Sequence, residues 1–123
     1  SSRRMGLESR ELAIVAEGNL SVRDGAAMII KASGRPLAGA RADDFVHVQV
    51  DALTALVDAR DATQDDLDDL LRTSLVSDTP RASIEALLHA VIHGLVMDAC
   101  VIHTHPTYVL GLLSSEAAAH VFD

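Results

Sequence analysis

The segment of residues 83–102 constrains the fold most, because a helical pattern there runs directly into an apolar strand pattern. Between residues 83 and 96, apolar side chains recur at the spacing of one broad helix face, which only Gly94 weakens. That face consists of Ile84, Leu87, Leu88, Val91, Ile92 and Leu95. Residues 99–102 have the composition of a buried strand. We therefore expect a helix that buries this face and leads into a strand of the central sheet.

Three short stretches earlier in the chain have the pattern of strands. Residues 20–22 and 27–30 flank the dipeptide Asp24-Gly25, which is typical of a hairpin turn. Residues 45–50 alternate between apolar and polar side chains, which predicts a third strand with Phe45 or its neighbours facing the core. These strands are expected to be antiparallel at least in part.

Helical patterns lie between and after these strands. Thr63 can cap a helix over residues 64–72, where aspartates crowd the positive N-terminal end. Pro106 is well placed as the first residue of a helix that continues to Leu113. Residues 52–59 fit either a short helix or an irregular excursion. The remaining helical patterns are at residues 8–17 and 115–122. Strands separated by helices predict one α/β domain over residues 1–123.

Composition and charge disfavour several classes of partner. Ten Lys and Arg against 18 Asp and Glu give a formal net charge of −8, which disfavours nucleic acids and anionic membranes as partners. Phe45, Tyr108 and Phe122 are the only aromatic residues of the sequence, so platforms for base stacking are nearly absent. The single cysteine, Cys100, favours a reducing compartment. With no signal-peptide pattern at the N-terminus, we expect a cytoplasmic protein.

The candidate metal ligands lie around the predicted strand at residues 99–102. His103 and His105 follow it, and residues two apart on a strand point to the same side, so both imidazoles can bind one ion. Glu85 near the start of the preceding helix reaches them if helix and strand pack antiparallel. Two exposed histidines and a glutamate that stabilises the helix dipole are the alternatives. His89, one turn after Glu85, can hydrogen-bond that carboxylate, whereas His93 is expected to be an ordinary helix residue.

Two glycine-containing segments have the features of anion-binding turns. Residues 17–21 contain Gly18 and Asn19, and residues 31–34 contain Lys31, Ser33 and Gly34. Each places a glycine and a small polar side chain at the edge of an apolar strand, where backbone N–H groups can face an oxyanion. An ordinary turn is the alternative for each segment alone.

Taken together, these segments resemble the class II aldolase/adducin family. The Gly-Asn-Leu-Ser-Val-Arg run at 18–23 is similar to the family's glycine-asparagine strand entry, and Lys-Ala-Ser-Gly at 31–34 is similar to its second phosphate segment. Ala-Ser-Ile-Glu at 82–85, with His89 four residues on, resembles the family's helix start. Val-Ile-His-Thr-His-Pro at 101–106 resembles its metal strand. The four motifs occur in the family's order.

The resemblance implies a three-layer α/β/α fold with a largely antiparallel central sheet, assembled as a homotetramer. It also implies a zinc-dependent aldehyde-lyase of the fuculose-phosphate or rhamnulose-phosphate aldolase kind, with another divalent metal as an alternative. By this likeness, His103 and His105 are zinc ligands, and Glu85 is the catalytic acid/base that also touches the metal. The residues expected to hold the substrate phosphate are Asn19, Ser33, Gly34 and Ser83.

The implied reaction is retro-aldol cleavage of a small, phosphorylated ketose through a zinc-stabilised enediolate. The family's scaffold also hosts an epimerase and a dehydratase, and adducin heads use it for protein association. These residues do not separate the enzymatic alternatives. An association module has no physical need for three convergent ligands, so the resemblance favours an enzyme.

Three departures from the family's pattern change the expected site. Ala82 replaces a proline, and Ile84 replaces a serine of the fuculose-phosphate type. The family's third zinc histidine and its C-terminal tyrosine lie beyond the metal strand and have no counterpart before Asp123. His120 is a weak substitute because it lies in a predicted helix. We expect the sequence to represent the N-terminal portion of the domain.

Overall fold

The computed structural model describes residues 2–13, 17–57, 59, 61–73, 80–96, 100–116 and 118–122. Within these residues the strands are β1 (Asn19–Asp24), β2 (Ala27–Lys31), β3 (Phe45–Gln49) and β4 (Cys100–His103). The α-helices are α1 (Ser2–Met5), α2 (Val50–Val57), α3 (Gln64–Thr73), α4 (Ala86–Leu95), α5 (Thr107–Leu113) and α6 (Ala118–Phe122). The predicted α/β class is confirmed.

The strands form a sheet in the order β3-β2-β1-β4, and each neighbouring pair is antiparallel. The hairpin predicted at Asp24-Gly25 joins β1 to β2, with Asp24 paired to Ala27. Gly25 has a φ of 60°, a conformation that tight hairpin turns require at this place and that glycine adopts without strain. Because β4 pairs with β1, the last described strand lies beside the first one.

One face of the sheet is covered by helices α2 and α4, which pack against each other. On β2 and β3 this face is apolar, because the alternating pattern places every second side chain there. The buried side chains are Met28, Ile30, Val46 and Val48, with Val50 and Leu53 of α2 packed in the same cluster. The predicted alternation of residues 45–50 therefore does form a core strand, with Val46 and Val48 inside and Phe45 only half-buried.

Helix α4 buries a different face from the one that its apolar pattern predicts. Ile84, just before the helix, and Leu88 are exposed at 57% and 49%, and Leu95 is exposed as well. The side chains that are buried are Ala86, His89, Ala90 and His93. The two alanines have small side chains that permit close packing, while the histidines find polar partners on β1. The predicted helix is thus confirmed. Of the predicted stripe, Leu87, Val91 and Ile92 are half-buried, whereas the other three side chains are exposed.

The N-terminal segment also departs from its predicted helix over residues 8–17. A 3-10 helix covers Glu8–Arg10, and Glu11 then has a φ of 50°, which takes the backbone out of helical geometry. Residues 14–16 of that prediction lie outside the described residues. The backbone of the segment instead supports the chain after β4, because His105 N donates to Leu12 O at 2.9 Å. Thr107 N likewise donates to Glu11 O at 3.0 Å.

Helices α3, α5 and α6 agree with the sequence patterns, whereas α1 was not predicted. Thr63 caps α3, since Asp66 N donates to Thr63 Oγ1 at 3.2 Å and Thr63 N donates to Asp66 Oδ2 at 2.8 Å. The Thr63 hydroxyl also donates to Asp66 Oδ2 at 2.6 Å, and this bond, together with the one from Thr63 N, lowers the pKa of Asp66. Of residues 52–59, those up to Val57 are helical in α2, and α5 begins directly after Pro106. Among the described residues, no helix has the length and apolar character that a membrane span needs.

Candidate metal centre

Three side chains predicted to be metal ligands lie together at the end of β4. Glu85 immediately precedes α4, and His103 is the last residue of β4. Glu85 Oε1 lies 3.4 Å from His103 Nδ1 and 3.8 Å from His105 Nε2. The three ligand atoms all lie within 4.8 Å of one another. The fold achieves this because α4 packs against β4, so that the start of the helix lies beside the end of the strand.

The two histidine nitrogens that face Glu85 are buried and have no hydrogen-bond partner among the described residues. A buried polar atom without a partner destabilises a fold by about 1–3 kcal/mol, so such atoms call for an explanation. A divalent cation satisfies both lone pairs. Tetrahedral bonds of about 2.0–2.1 Å place neighbouring ligand atoms roughly 3.4 Å apart. Glu85 Oε1 and His103 Nδ1 are separated by that distance. Two imidazole nitrogens and a carboxylate oxygen therefore fit zinc or a similar divalent metal.

Glu85 uses its two oxygens differently. Oε1 faces the histidines, whereas Oε2 accepts a hydrogen bond of 2.8 Å from the side-chain amide of Asn19. Ser83 Oγ also lies 3.4 Å from Oε2. Asn19 is itself held, because it is fully buried and its Oδ1 accepts a 2.9 Å hydrogen bond from Leu20 N. The carboxylate is thereby fixed with one oxygen directed at the histidines.

Glu17 is a further acidic group at the centre, and no sequence motif predicts a role for its side chain. Its Oε2 lies 3.6 Å from His105 Nδ1, the ring nitrogen opposite the one that faces Glu85. A carboxylate beside the outer nitrogen of a metal-bound histidine orients the ring and raises its basicity. Glu17 is exposed, so its interaction with His105 is weaker than a buried one. The His-x-His spacing alone gives no sign of which carboxylate lies behind each ring.

His89 does not form the hydrogen bond to Glu85 that its position one turn later predicts. Its Nδ1 instead lies 2.7 Å from Ser21 Oγ, and Ser21 Oγ lies 2.8 Å from His93 Nε2. The prediction was wrong because β1, not the helix itself, supplies the polar partner. Burial, with a smaller contribution from His103, lowers the pKa of His89 to about 4, which Glu85 opposes. His89 is therefore neutral at physiological pH.

The predicted phosphate segment lies next to the start of α4. Ala32 pairs with Ala82 in an isolated bridge, and Ser33 N donates to Arg81 O at 3.0 Å. These contacts bring Ser33 and Gly34, both exposed, alongside the segment that carries Ser83. The space around Gly34 is open, and its φ is 70°. The phosphate roles of these residues stay predictions.

Lys31 contributes a buried positive group near the same place. It is 2% exposed, and its Nζ donates to Ala32 O at 3.2 Å. Burial lowers the pKa of Lys31, whereas Glu85 and Asp44 act in the opposite direction. The ammonium group is thus within electrostatic reach of the carboxylate that faces the histidines. By contrast, His120 is exposed on α6 and does not belong to the ligand group found in the described part of the chain.

Comparison with known proteins identifies the family of the chain. The chain matches the model of the Class II Aldolase and Adducin N-terminal domain over residues 3–119, and it therefore belongs to this family. A search of curated proteins finds no match.

Similar solved structures show how widely the fold is shared. The N-terminal class II aldolase domain of a conserved Thermoplasma acidophilum protein is 26% identical, with a TM-score of 0.75, over 94% of this chain and 56% of that one. L-fuculose-1-phosphate aldolase from Thermus thermophilus is 20% identical, with a TM-score of 0.60, over 89% and 47%. YgbL from Klebsiella pneumoniae, a candidate aldolase, epimerase or decarboxylase, is 17% identical, with a TM-score of 0.63, over 94% and 47%. The chain spans about half the length of these structures.

Proposed function

We propose that this chain carries the metal centre of an aldehyde-lyase that cleaves a small, phosphorylated ketose in a retro-aldol reaction. The observation that carries the proposal is the approach of Glu85 Oε1 to two buried histidine nitrogens without hydrogen-bond partners among the described residues. Membership of the class II aldolase and adducin family supports the reaction type. The finer identity of the sugar rests on the resemblance alone.

His103, His105 and Glu85 are the residues that would hold the metal, for which we propose zinc. A divalent cation held there would polarise the carbonyl and hydroxyl oxygens of a bound sugar and so favour electron withdrawal from the adjacent carbon–carbon bond. The protein orients these side chains for this role before any ligand arrives. Asn19 holds Glu85 from one side, and Glu17 lies beside the outer nitrogen of His105.

Glu85 is the proposed acid/base. In retro-aldol cleavage a base takes the proton of the hydroxyl next to the breaking bond, and an acid returns a proton to carbon after the aldehyde leaves. Glu85 Oε1 is the oxygen directed into the site, because Oε2 accepts from the Asn19 amide. A positioned carboxylate of this kind contributes about 10²- to 10⁴-fold to the rate.

The phosphate of the substrate is proposed to bind between the loop after β2 and the start of α4. Ser33, Gly34 and Ser83 supply small polar or open positions there, and Lys31 adds a positive charge nearby. We propose the same phosphate role for Asn19, whose side-chain amide nitrogen donates to Glu85. A cationic group next to the site favours an anionic substrate.

Metal analysis of the purified protein tests the first part of the proposal. Wild type should contain a divalent metal, and His103→Ala and His105→Ala should each lose it, because two ligands of the remaining set are too few for tight binding. His47→Ala is a matched control, since His47 is exposed on β3 away from the ligand group. Equal metal content in wild type and both ligand variants contradicts the metal centre.

Product analysis tests the reaction. Purified metal-loaded protein is incubated with a panel of ketose 1-phosphates, and release of dihydroxyacetone phosphate and an aldehyde is measured. Interconversion of stereoisomers without cleavage indicates an epimerase, a second candidate because YgbL is described in those terms. Loss of water without cleavage indicates a dehydratase. Bound metal with none of these products favours an association module.

We also propose a homo-oligomer, a tetramer by resemblance to the family, in the cytoplasm. Exposed apolar side chains on and next to α4 support contacts between copies, and they include Ile84, Leu88 and Leu95. The exposed free thiol of Cys100 supports a reducing compartment. Light scattering of the purified protein tests the assembly, and a monomeric mass at working concentration contradicts it.

A further inference from the structure

A buried serine links two histidines beneath the metal centre, and the proposed reaction uses none of the three. Ser21 on β1 is fully buried, as is His89, and His93 is exposed by only 2%. Ser21 Oγ lies 2.7 Å from His89 Nδ1 and 2.8 Å from His93 Nε2. Both distances are those of short hydrogen bonds. They occur in a buried place that an apolar side chain would also fill.

The chemistry of the serine hydroxyl makes the two bonds interdependent. The hydroxyl has one hydrogen, so it donates to one imidazole and accepts from the other. With both bonds formed, the two facing ring nitrogens are in opposite states, one protonated and one not. Because a ring flip of His89 would break a buried hydrogen bond, the orientation of this imidazole is fixed.

The fixed ring of His89 lies against a predicted metal ligand. Its centroid is 6.1 Å from that of His103, with the rings tilted by 45°. His89 Nε2 is buried and has no hydrogen-bond partner in the described part of the chain. The imidazole therefore contacts Ser21 through one edge and limits the space available to His103 with the rest of the ring.

Strand β1 consequently supports two ligands from the same face. Asn19 and Ser21 are two residues apart, so their side chains point the same way, and Asn19 is paired with His103 across the β1–β4 ladder. Asn19 holds Glu85 by a direct hydrogen bond. Ser21 holds His89, and His89 packs beside His103.

We propose that Ser21, His89 and His93 form a positioning cluster that keeps His103 Nδ1 facing Glu85 Oε1. The inference rests on the proposed function, because it assigns these residues to the same metal centre. Residues behind the ligands change metal affinity by about 10- to 100-fold in other proteins when they are removed. We expect an effect of that size here without any change in the ligands themselves.

Cobalt(II) titration of the full chain, after treatment with a chelator, tests the cluster. Ser21→Ala removes both hydrogen bonds and little volume, and it should weaken cobalt binding at least tenfold and alter the visible absorption of the bound ion. His89→Asn retains an amide near the position of Nδ1, so it preserves the bond to Ser21 but removes the ring from His103. It should weaken binding to a similar extent.

Ala90→Gly is the matched control, because Ala90 is buried on the same face of α4 and its side chain forms no hydrogen bond. Glycine destabilises a helix relative to alanine, so this variant loses stability but should bind cobalt like wild type. Cobalt affinity within about threefold of the Ala90→Gly value in both cluster variants overturns the inference. If Ser21→Ala does not fold, His89→Asn alone decides between these results. A wild-type protein that binds no cobalt or zinc contradicts the proposed function itself, and the inference with it.

Discussion

The two halves of one sheet face have the same geometry and opposite chemistry. The half formed by β2 and β3 is a dry apolar core, in which Met28, Ile30 and Val48 are fully buried under α2. The half formed by β1 and β4 lies under α4 and carries Asn19 and Ser21, which are equally buried. Both halves consist of antiparallel strands that alternate one residue in and one residue out.

The difference shows how a small domain separates stability from chemistry. Apolar side chains in the first half contribute about 25 cal/mol for each Å² removed from water. In the second half, buried polar groups gain little net stability, because each hydrogen bond replaces one made to water. What they provide is direction, since Asn19 fixes Glu85 and Ser21 fixes His89. Some histidine nitrogens there are left without a partner among the described residues, which suits a site that binds a ligand.

The largest expected effect is on catalysis in the polar half. Glu85→Gln should reduce the rate at saturating metal by about 10²- to 10⁴-fold, because the amide cannot take up a proton. Steady-state assay of aldehyde release measures this effect, and circular dichroism checks the fold. Asp69→Asn is the control, since Asp69 is an exposed acid on α3. A Glu85→Gln rate within threefold of wild type contradicts the assigned role.

The next effect is on stability in the apolar half. Met28→Ala should lower the free energy of unfolding by about 2–5 kcal/mol, because it leaves a cavity under α2. Urea denaturation measures the change. Val22→Ala, at a residue 40% exposed on the other face of β1, should lower it by less than about 1 kcal/mol. Metal affinity of the folded Met28→Ala protein should equal that of wild type, and a clear loss of affinity would show that the halves are coupled.

The smallest expected effect is the response of the polar half to pH. The pKa of His89 is lowered from 6.5 to about 4, chiefly by burial, so the folded protein resists protonation of this ring. The stabilising contribution is fully present above pH 6.5 and is lost as the pH falls from 6.5 towards 4. Its size is at most about 3 kcal/mol.

Urea denaturation of the chelator-treated protein at several pH values between 7.5 and 4.5 measures that response. His89→Asn has no titrating ring at this position, so its stability should fall less steeply over the same range than that of wild type. The difference between the two curves isolates His89 from the carboxylates, which titrate in both proteins. Parallel curves would show that protonation of His89 does not govern acid stability.

Much of the fold is predictable because local patterns coincide with local structure. The alternation at residues 45–50 and the hairpin dipeptide Asp24-Gly25 define β-strands and a turn without long-range information. Thr63 followed by Asp66 likewise produces a cap whose partners are three residues apart. Such features depend on residues that are close together in the sequence, so the sequence alone is enough to predict them.

The orientation of α4 was not predictable in this way. Apolar residues lie on more than one side of the helix, so periodicity identifies a helix but not the side that meets the sheet. The small side chains of Ala86 and Ala90 lie on the buried face, and His89 and His93 satisfy their polarity through Ser21. The sequence shows two histidines four residues apart and a serine on a predicted strand, but it does not indicate that the three are hydrogen-bonded to one another.

By itself, the sequence determined the residue types of the centre: a carboxylate before a helix and two histidines after an apolar strand. It also determined that helix and strand are consecutive, so that antiparallel packing of the two would bring the start of the helix beside the end of the strand. Only the tertiary structure decided which atoms face each other, because Glu85 is turned by Asn19 of β1 and His103 is flanked by His89 of α4. The physical reason is that hydrogen bonds require partners within about 3 Å, and residues 66 or 68 positions apart reach that distance only because α4 and the residue before it lie against β1.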